Sequence, residues 1–263
     1  MKKYWTVFKM SWARELEYRF NFFLWRLRSF IGMTLLYFVW FSLTLKGKFA
    51  GFTEAELFTY VFGANILRSI IFGSQTRNIA EEINNGWFSR YLLMPINHFW
   101  FEFFRELAQR TLNFISSIFE VGIFILIAKP NFILEKNFSS LTFFFFSIIL
   151  ALFLYYLLSY LVSLVAFWSR EAMGPRFLFE WLLEFSSGAY FPLSVFSEFL
   201  FFTLMSLPFA YLLYFPLSIY LEKMHNSELI NFFALELIWI FVIAFITKYI
   251  WSKGLKRFTG EGI

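Results

Sequence analysis

The sequence predicts an all-α membrane protein: six transmembrane helices, an N-terminal amphipathic interfacial helix and a re-entrant hairpin before the last helix. Two observations lead to that class. Several apolar runs are long enough to cross a hydrocarbon core of about 30 Å. The 263 residues are also 59% hydrophobic and only 16% charged, against about 25% charged in ordinary soluble domains. The 43 Phe, 13 Tyr and 10 Trp suit lipid contact and the interfacial belts where amphipathic rings settle, so the aromatic excess does not signal catalysis.

The elements follow in order. In residues 1–28, Tyr4, Trp5, Phe8, Trp12 and Leu16 recur at helical spacing among Lys2, Lys3, Lys9, Arg14 and Arg19. This pattern predicts a helix lying in the membrane interface, its cations near anionic headgroups; a cytosolic helix packed on a partner is the alternative. The first apolar run starts only near Ser29 and lacks a small-x-small cleavage site, so it is read as a retained span. Spans are expected at 29–45, 57–73, 111–128, 141–168, 181–203 and 229–250. Residues 74–110 form a cytoplasmic connector with eight charges, Arg77, Glu81, Glu82, Arg90, Glu102, Arg105, Glu106 and Arg110. Each would cost roughly 2.5–3.5 kcal/mol at a helix centre, so the connector is expected in water or at the headgroups. A second connector, 169–180, is broken by Gly174 and Pro175. After it Pro192, Pro208 and Pro216 interrupt the apolar run, and 204–221 is expected to re-enter the membrane from the outer face.

Charge asymmetry sets the orientation. This threading puts the basic residues of 1–28, 77–110, 169–180 and 248–263 on one side, and only Lys46, Lys48, Lys129, Lys136 and Lys223 on the other. The positive-inside rule then places both termini in the cytoplasm.

Little else in the sequence suggests reaction chemistry. There is no cysteine, every acidic residue is Glu, and the two histidines, His98 and His225, stand far apart. No metal-ligand spacing is present. No G-x-x-x-x-G-K-[ST] phosphate loop occurs; Lys46-Gly47-Lys48-Phe49 lacks its first glycine and its hydroxyl residue. Arg68 and Glu120 are the charges deepest in predicted spans, and an ion pair between the second and third spans is the expected solution. Glu184 and Glu236 are expected near span ends, within reach of the interface.

Several segments resemble the ABC-2 family of exporter permeases, in particular its daunorubicin-resistance-like branch. Ile79-Ala-Glu-Glu-Ile-Asn-Asn-Gly86 followed by Leu92-Leu93-Met-Pro95-Ile-Asn97 is similar to that family's acidic-Ile-x-x-Gly and Leu-Leu-x-Pro-Ile. Ser187-Gly188-Ala-Tyr-Phe191-Pro192-Leu193 resembles its Ser-Gly-x-x-Phe-Pro-Leu. Leu207-Pro208-Phe209 with Phe215-Pro216 resembles its extracellular Pro-Phe segment, and Trp251 through Gly254, Phe258, Gly260 and Gly262 its closing Trp, basic residues and glycines.

The resemblance implies a transport subunit in the cytoplasmic membrane that binds no cofactor itself. A separate dimer of ABC ATPase subunits would hold ATP and magnesium, and a second permease copy or a sister permease would complete the pathway in the bilayer. No nucleic-acid partner is implied. It also implies that the connector docks on the ATPase through Ile79, Glu81, Glu82, Ile83, Gly86, Leu92, Leu93 and Pro95. Ile79 and Ile83 would form one face, with Glu81 and Glu82 turned toward basic partner side chains. Gly188, Phe191, Pro192, Pro208, Phe209 and Pro216 would form an extracellular gate. The substrate would be an amphiphile such as a drug or lipid. Two other classes stay open on the residues alone: a secondary transporter driven by an ion gradient through Arg68, Glu120 and Glu184, and a lipid-modifying membrane enzyme using His98 or His225.

Overall fold

A computed structural model describes residues 2–17, 19–44, 47–49, 51–224 and 226–259; His225, Gly260 and Gly262 lie outside them. Among the described residues every regular element is helical, apart from one bridge between Phe49 and Phe52. Helix α1 runs Lys2–Glu17, α2 Arg19–Thr44, α3 Glu54–Ile71, α4 Arg77–Asn84, α5 Ser89–Leu93 and α6 His98–Ala128. Helix α7 runs Phe138–Ser163, α8 Met173–Ser186, α9 Glu198–Met205, α10 Tyr214–Tyr220 and α11 Asn226–Arg257.

Polar caps decide where several helices begin. The Thr53 hydroxyl accepts from the Glu56 amide, while Glu56 Oε2 accepts from the Thr53 amide at 2.7 Å, a reciprocal box that satisfies two donors at the start of α3. Asn97 and Asn137 cap α6 and α7 through their side-chain oxygens. Lys129 closes α6 in the left-handed region, at φ 46°.

Four helical stretches are long and apolar enough to cross a membrane: Arg19–Thr44, His98–Ala128, Phe138–Phe167 and Glu228–Arg257. Helix α3 has 18 residues but carries Glu54, Glu56 and Arg68, and α8 has only 14. The expected fifth span over 181–203 is not one helix. Helix α8 begins at Met173, inside the expected connector, and ends at Ser186. Gly188 follows at φ 82°, where a Cβ would stand 2.5 Å from the Tyr60 hydroxyl. Likewise α6 starts at His98, thirteen residues before the expected third span.

Helix α7 is the hub, apolar around its circumference and packed against α3, α10 and α11. Of the expected interfacial segment, residues 19–28 run on into the first expected span as part of α2, and α1 lies against α6, with Tyr4 stacked on Phe104 and Lys3 Nζ 2.7 Å from the Pro95 carbonyl. The end of α11 comes back to the same region, where Trp251 and Phe258 meet Phe88. Both ends of the described chain therefore gather at the connector between α3 and α6.

Gly254 marks the closest of these approaches. A Cβ there would stand 2.2 Å from the Phe167 ring. Gly254→Ala should cost about 1–3 kcal/mol by overpacking and lower the midpoint of thermal unfolding in detergent, whereas Gly122→Ala, in open space on α6, should not. Equal midpoints for the two variants would refute this packing.

Candidate functional site

The connector is an elbow built on a buried base. Ile79 and Ile83 point into a cluster with Phe88, Tyr156, Tyr160, Leu164 and Phe167, and neither has any exposed surface. They do not form an outward docking face, because the apolar side of α4 covers the end of α7 and the 3-10 turn at Leu164–Phe167 that follows it. Glu82, expected to face outward, is also buried. Its Oε1 accepts from the Tyr91 hydroxyl at 2.9 Å and from Arg90 at 3.4 Å, and lies 3.7 Å from Arg105. Burial, with the Glu82 charge adding to it, pushes the Tyr91 phenol up to about 12, so at neutral pH Tyr91 remains a proton donor to Glu82. The outward side of the elbow consists of Glu81, Trp87, Leu92, Leu93, Met94 and Pro95, with Leu93 87% exposed; Gly86 is buried between α4 and α5.

The charges that follow, expected in water or at the headgroups, are covered by protein. Glu102, Arg105, Glu106 and Arg110 are all buried on the first four turns of α6. Arg105 Nη1 donates to Glu102 at 2.7 Å and Arg110 Nη2 to Glu106 at 2.9 Å, while Glu106 also accepts from the Thr76 amide. Spacings of three and four residues put these partners on one helix face, so they enter the protein as pairs.

His98 lies at the base of this row, its Nδ1 2.9 Å from the Tyr160 hydroxyl and its ring stacked on Trp251. Glu82, His98 and Glu102 each offer one ligand atom, all within 4.8 Å of one another. Arg105 stands against both carboxylates and already supplies the positive charge that a metal ion would bring. His98 is only 5% exposed, which leaves it no opening to a substrate.

The expected Arg68–Glu120 pair does not form. Glu120 instead takes a two-point bond from Arg26, at 2.6 and 2.7 Å, and Arg68 pairs with Glu184 of α8. Arg26, expected in the interfacial segment, lies within α2 and reaches α6. Glu184 is therefore not a free interfacial acid. Glu236 is not one either: it has no exposed surface and no hydrogen-bond partner among the described residues.

Alongside these pairs, two adjoining cavities of about 440 and 730 Å³ form a half-open groove between α2 and the α3–α8 wall. They share Trp25, Arg68, Arg77, Glu180 and Glu184. Arg77 Nη2 and Glu180 make a second bridge at 2.7 Å, and Glu180 also accepts from the buried Arg176.

The residues expected to form a gate lie in one irregular stretch. Tyr60 donates to the Gly188 carbonyl at 2.6 Å and Trp40 Nε1 to that of Tyr190 at 3.1 Å, which ties the turn holding Gly188, Phe191 and Pro192 to α3 and α2. Pro208 and Phe209 open a 3-10 turn, and Pro216 lies buried in α10.

Residues 29–262 match the family model described as ABC-2 family transporter protein. The chain belongs to that family and is a multi-pass membrane component of a transporter. No curated protein and no solved structure matches it.

The Arg26–Glu120 pair can be tested for its share of stability. Arg26→Gln alone, which leaves Glu120 unpaired, should cost about 3–5 kcal/mol, and adding Glu120→Gln should recover much of that loss in detergent unfolding. If the double variant unfolds as early as the single one, the two groups are not coupled.

Proposed function

We propose that this chain is the permease subunit of an ATP-driven ABC exporter in the cytoplasmic membrane. It would move an amphiphilic substrate, while ATP and magnesium sit on a separate dimer of ATPase subunits. The observation that carries the reading is the elbow: an exposed apolar cap, Trp87 and Leu92 through Pro95 with Glu81 at its edge, on a base locked by buried ion pairs and rings. Apolar surface of this kind on a rigid mount suits a protein partner, and a stiff mount transmits displacement to the helices behind it. Of the two acids in the family-like motif, Glu81 is the one free to meet a basic partner side chain, because Glu82 is used internally.

In this reading α3 and α8 supply the two crossings beyond the four long apolar stretches. Helix α3 would span about 27 Å and α8 about 21 Å at 1.5 Å per residue, and both would be sheltered by neighbouring helices, which makes their charges tolerable. The irregular stretch through α10 would be the re-entrant outer gate, since backbone of this kind persists at membrane depth only when covered by protein. Both termini and the elbow would face the cytoplasm. The pathway would lie between this subunit and a second copy or a sister permease, with the groove beside α2 opening onto it.

Two measurements test this. A tagged chain purified from its native membrane should bring an ABC ATPase with it, and Glu81→Lys combined with Leu93→Glu should abolish ATP-dependent transport without unfolding the permease. Transport driven by an ion gradient in the absence of any ATPase would refute the assignment. Because the chain has no cysteine, single cysteines at Glu222 and Lys256 should react from opposite sides of the membrane; reaction from one side would overturn the topology.

A further inference from the structure

The groove beside α2 changes character along its length. Toward the elbow it is lined by Trp25, Arg28, Arg68, Arg77, Glu180 and Glu184; farther along α2 it is lined by Gly32, Met33, Leu35, Leu36 and Val39, facing Val61 and Ala64. From Arg28 to Val39 is about 16 Å along a helix axis, close to half of a hydrocarbon core of about 30 Å. The groove thus has the length and polarity of one leaflet.

In the larger cavity the polar end is not charge-balanced: three guanidinium groups, Arg28, Arg68 and Arg77, face two carboxylates, Glu180 and Glu184. The smaller cavity adds Arg26, held by Glu120, and Glu15, whose Oε1 accepts from Gln75 and lies 3.9 Å from Arg14. Glu180 is shared with Arg176, and no carboxylate among the described residues pairs with Arg28, which lies over the Trp25 ring. The side chains of Arg68 and Arg77 remain 40% and 45% exposed although each is bridged. Where water is scarce, surplus positive charge on an open wall calls for a negative group.

We propose that this groove seats an amphiphile with an anionic headgroup, drawn from the leaflet on the elbow side. The headgroup lies against Arg28, Arg68 and Arg77, and the tail lies along α2. The inference rests on the transporter reading and narrows its substrate class from amphiphiles at large to anionic ones. Recognition is by charge and by depth: a cationic amphiphile meets the same surplus as repulsion, and an anion without a tail lacks the contact with α2.

The test uses the full-length permease, purified in a neutral detergent without any ATPase. Its binding is measured with fluorescent lipid analogues that share one acyl tail and carry a phosphoglycerol, phosphocholine or trimethylammonium headgroup, and with glycerol phosphate as a tail-less competitor. The phosphoglycerol probe should bind at least about fivefold tighter than the other two, more weakly as salt rises, and without displacement by glycerol phosphate. Arg28→Gln should reduce that preference about fivefold. Arg77→Gln, which removes the surplus and leaves Glu180 to Arg176, should reduce it similarly.

Equal affinity for all three headgroups, tighter binding of the cationic probe, displacement by glycerol phosphate, or unchanged preference in both variants would each overturn the proposal. These outcomes concern binding to the isolated chain. Failure of ATP-dependent transport, with the anionic preference intact, would count instead against the exporter assignment.

Discussion

A charge in hydrocarbon has no water to solvate it, so it persists only where it finds a partner within the protein. Much of the arrangement follows from that constraint. Arg26 draws α2 onto Glu120 of α6, and Arg68 draws α3 onto Glu184 of α8. Along α6, Glu102 with Arg105 and Glu106 with Arg110 neutralise one another at three- and four-residue spacing, and this lets four charged turns pass beneath the elbow without reaching solvent. Smaller polar contacts work alongside these pairs, among them the Ser69 and Ser117 hydroxyls, 2.8 Å apart where α3 crosses α6.

The same pairing makes the elbow stiff. Helix α4 has two turns, too few to be stable alone, and it is held by Ile79 and Ile83 beneath and by Glu82 among Tyr91, Arg90 and Arg105. Lys3 and Tyr4 of α1 reach the elbow at Pro95 and Asn97, and Trp251 and Phe258 near the end of the chain meet it at Phe88. Force applied to Trp87 or Leu93 would therefore meet a body continuous with α6, α7 and α11. A solvated charged loop would dissipate such force, which is why burial of Glu82 matters more to the proposed role than an exposed Glu82 would.

At the other end, the chain between Ser187 and Leu221 keeps only the short helices α9 and α10 and takes the rest of its order from tertiary bonds. The Tyr214 amide donates to the Ser187 carbonyl at 2.9 Å, and the Tyr211 hydroxyl to that of Met205 at 2.7 Å. Proline removes amide donors, and tyrosine and tryptophan side chains from neighbouring helices supply others to the carbonyls left free. A segment held by a few such bonds can change shape at lower cost than a continuous helix.

The sequence by itself determined the class, because an apolar excess and the spacing of long runs depend only on composition and order. Membership of the ABC-2 family was legible in the glycine, proline and Leu-Leu-x-Pro landmarks. Partner choice was not legible. Arg68 could be read as a charge in need of a carboxylate, but whether that was Glu120 or Glu184 depended on which helices became neighbours. The direction of Ile79, Ile83 and Glu82 was likewise settled by the end of α7 and the 3-10 turn after it packing over α4. A helical period says which residues share a face; only packing decides whether that face meets solvent, a partner or the protein's own core.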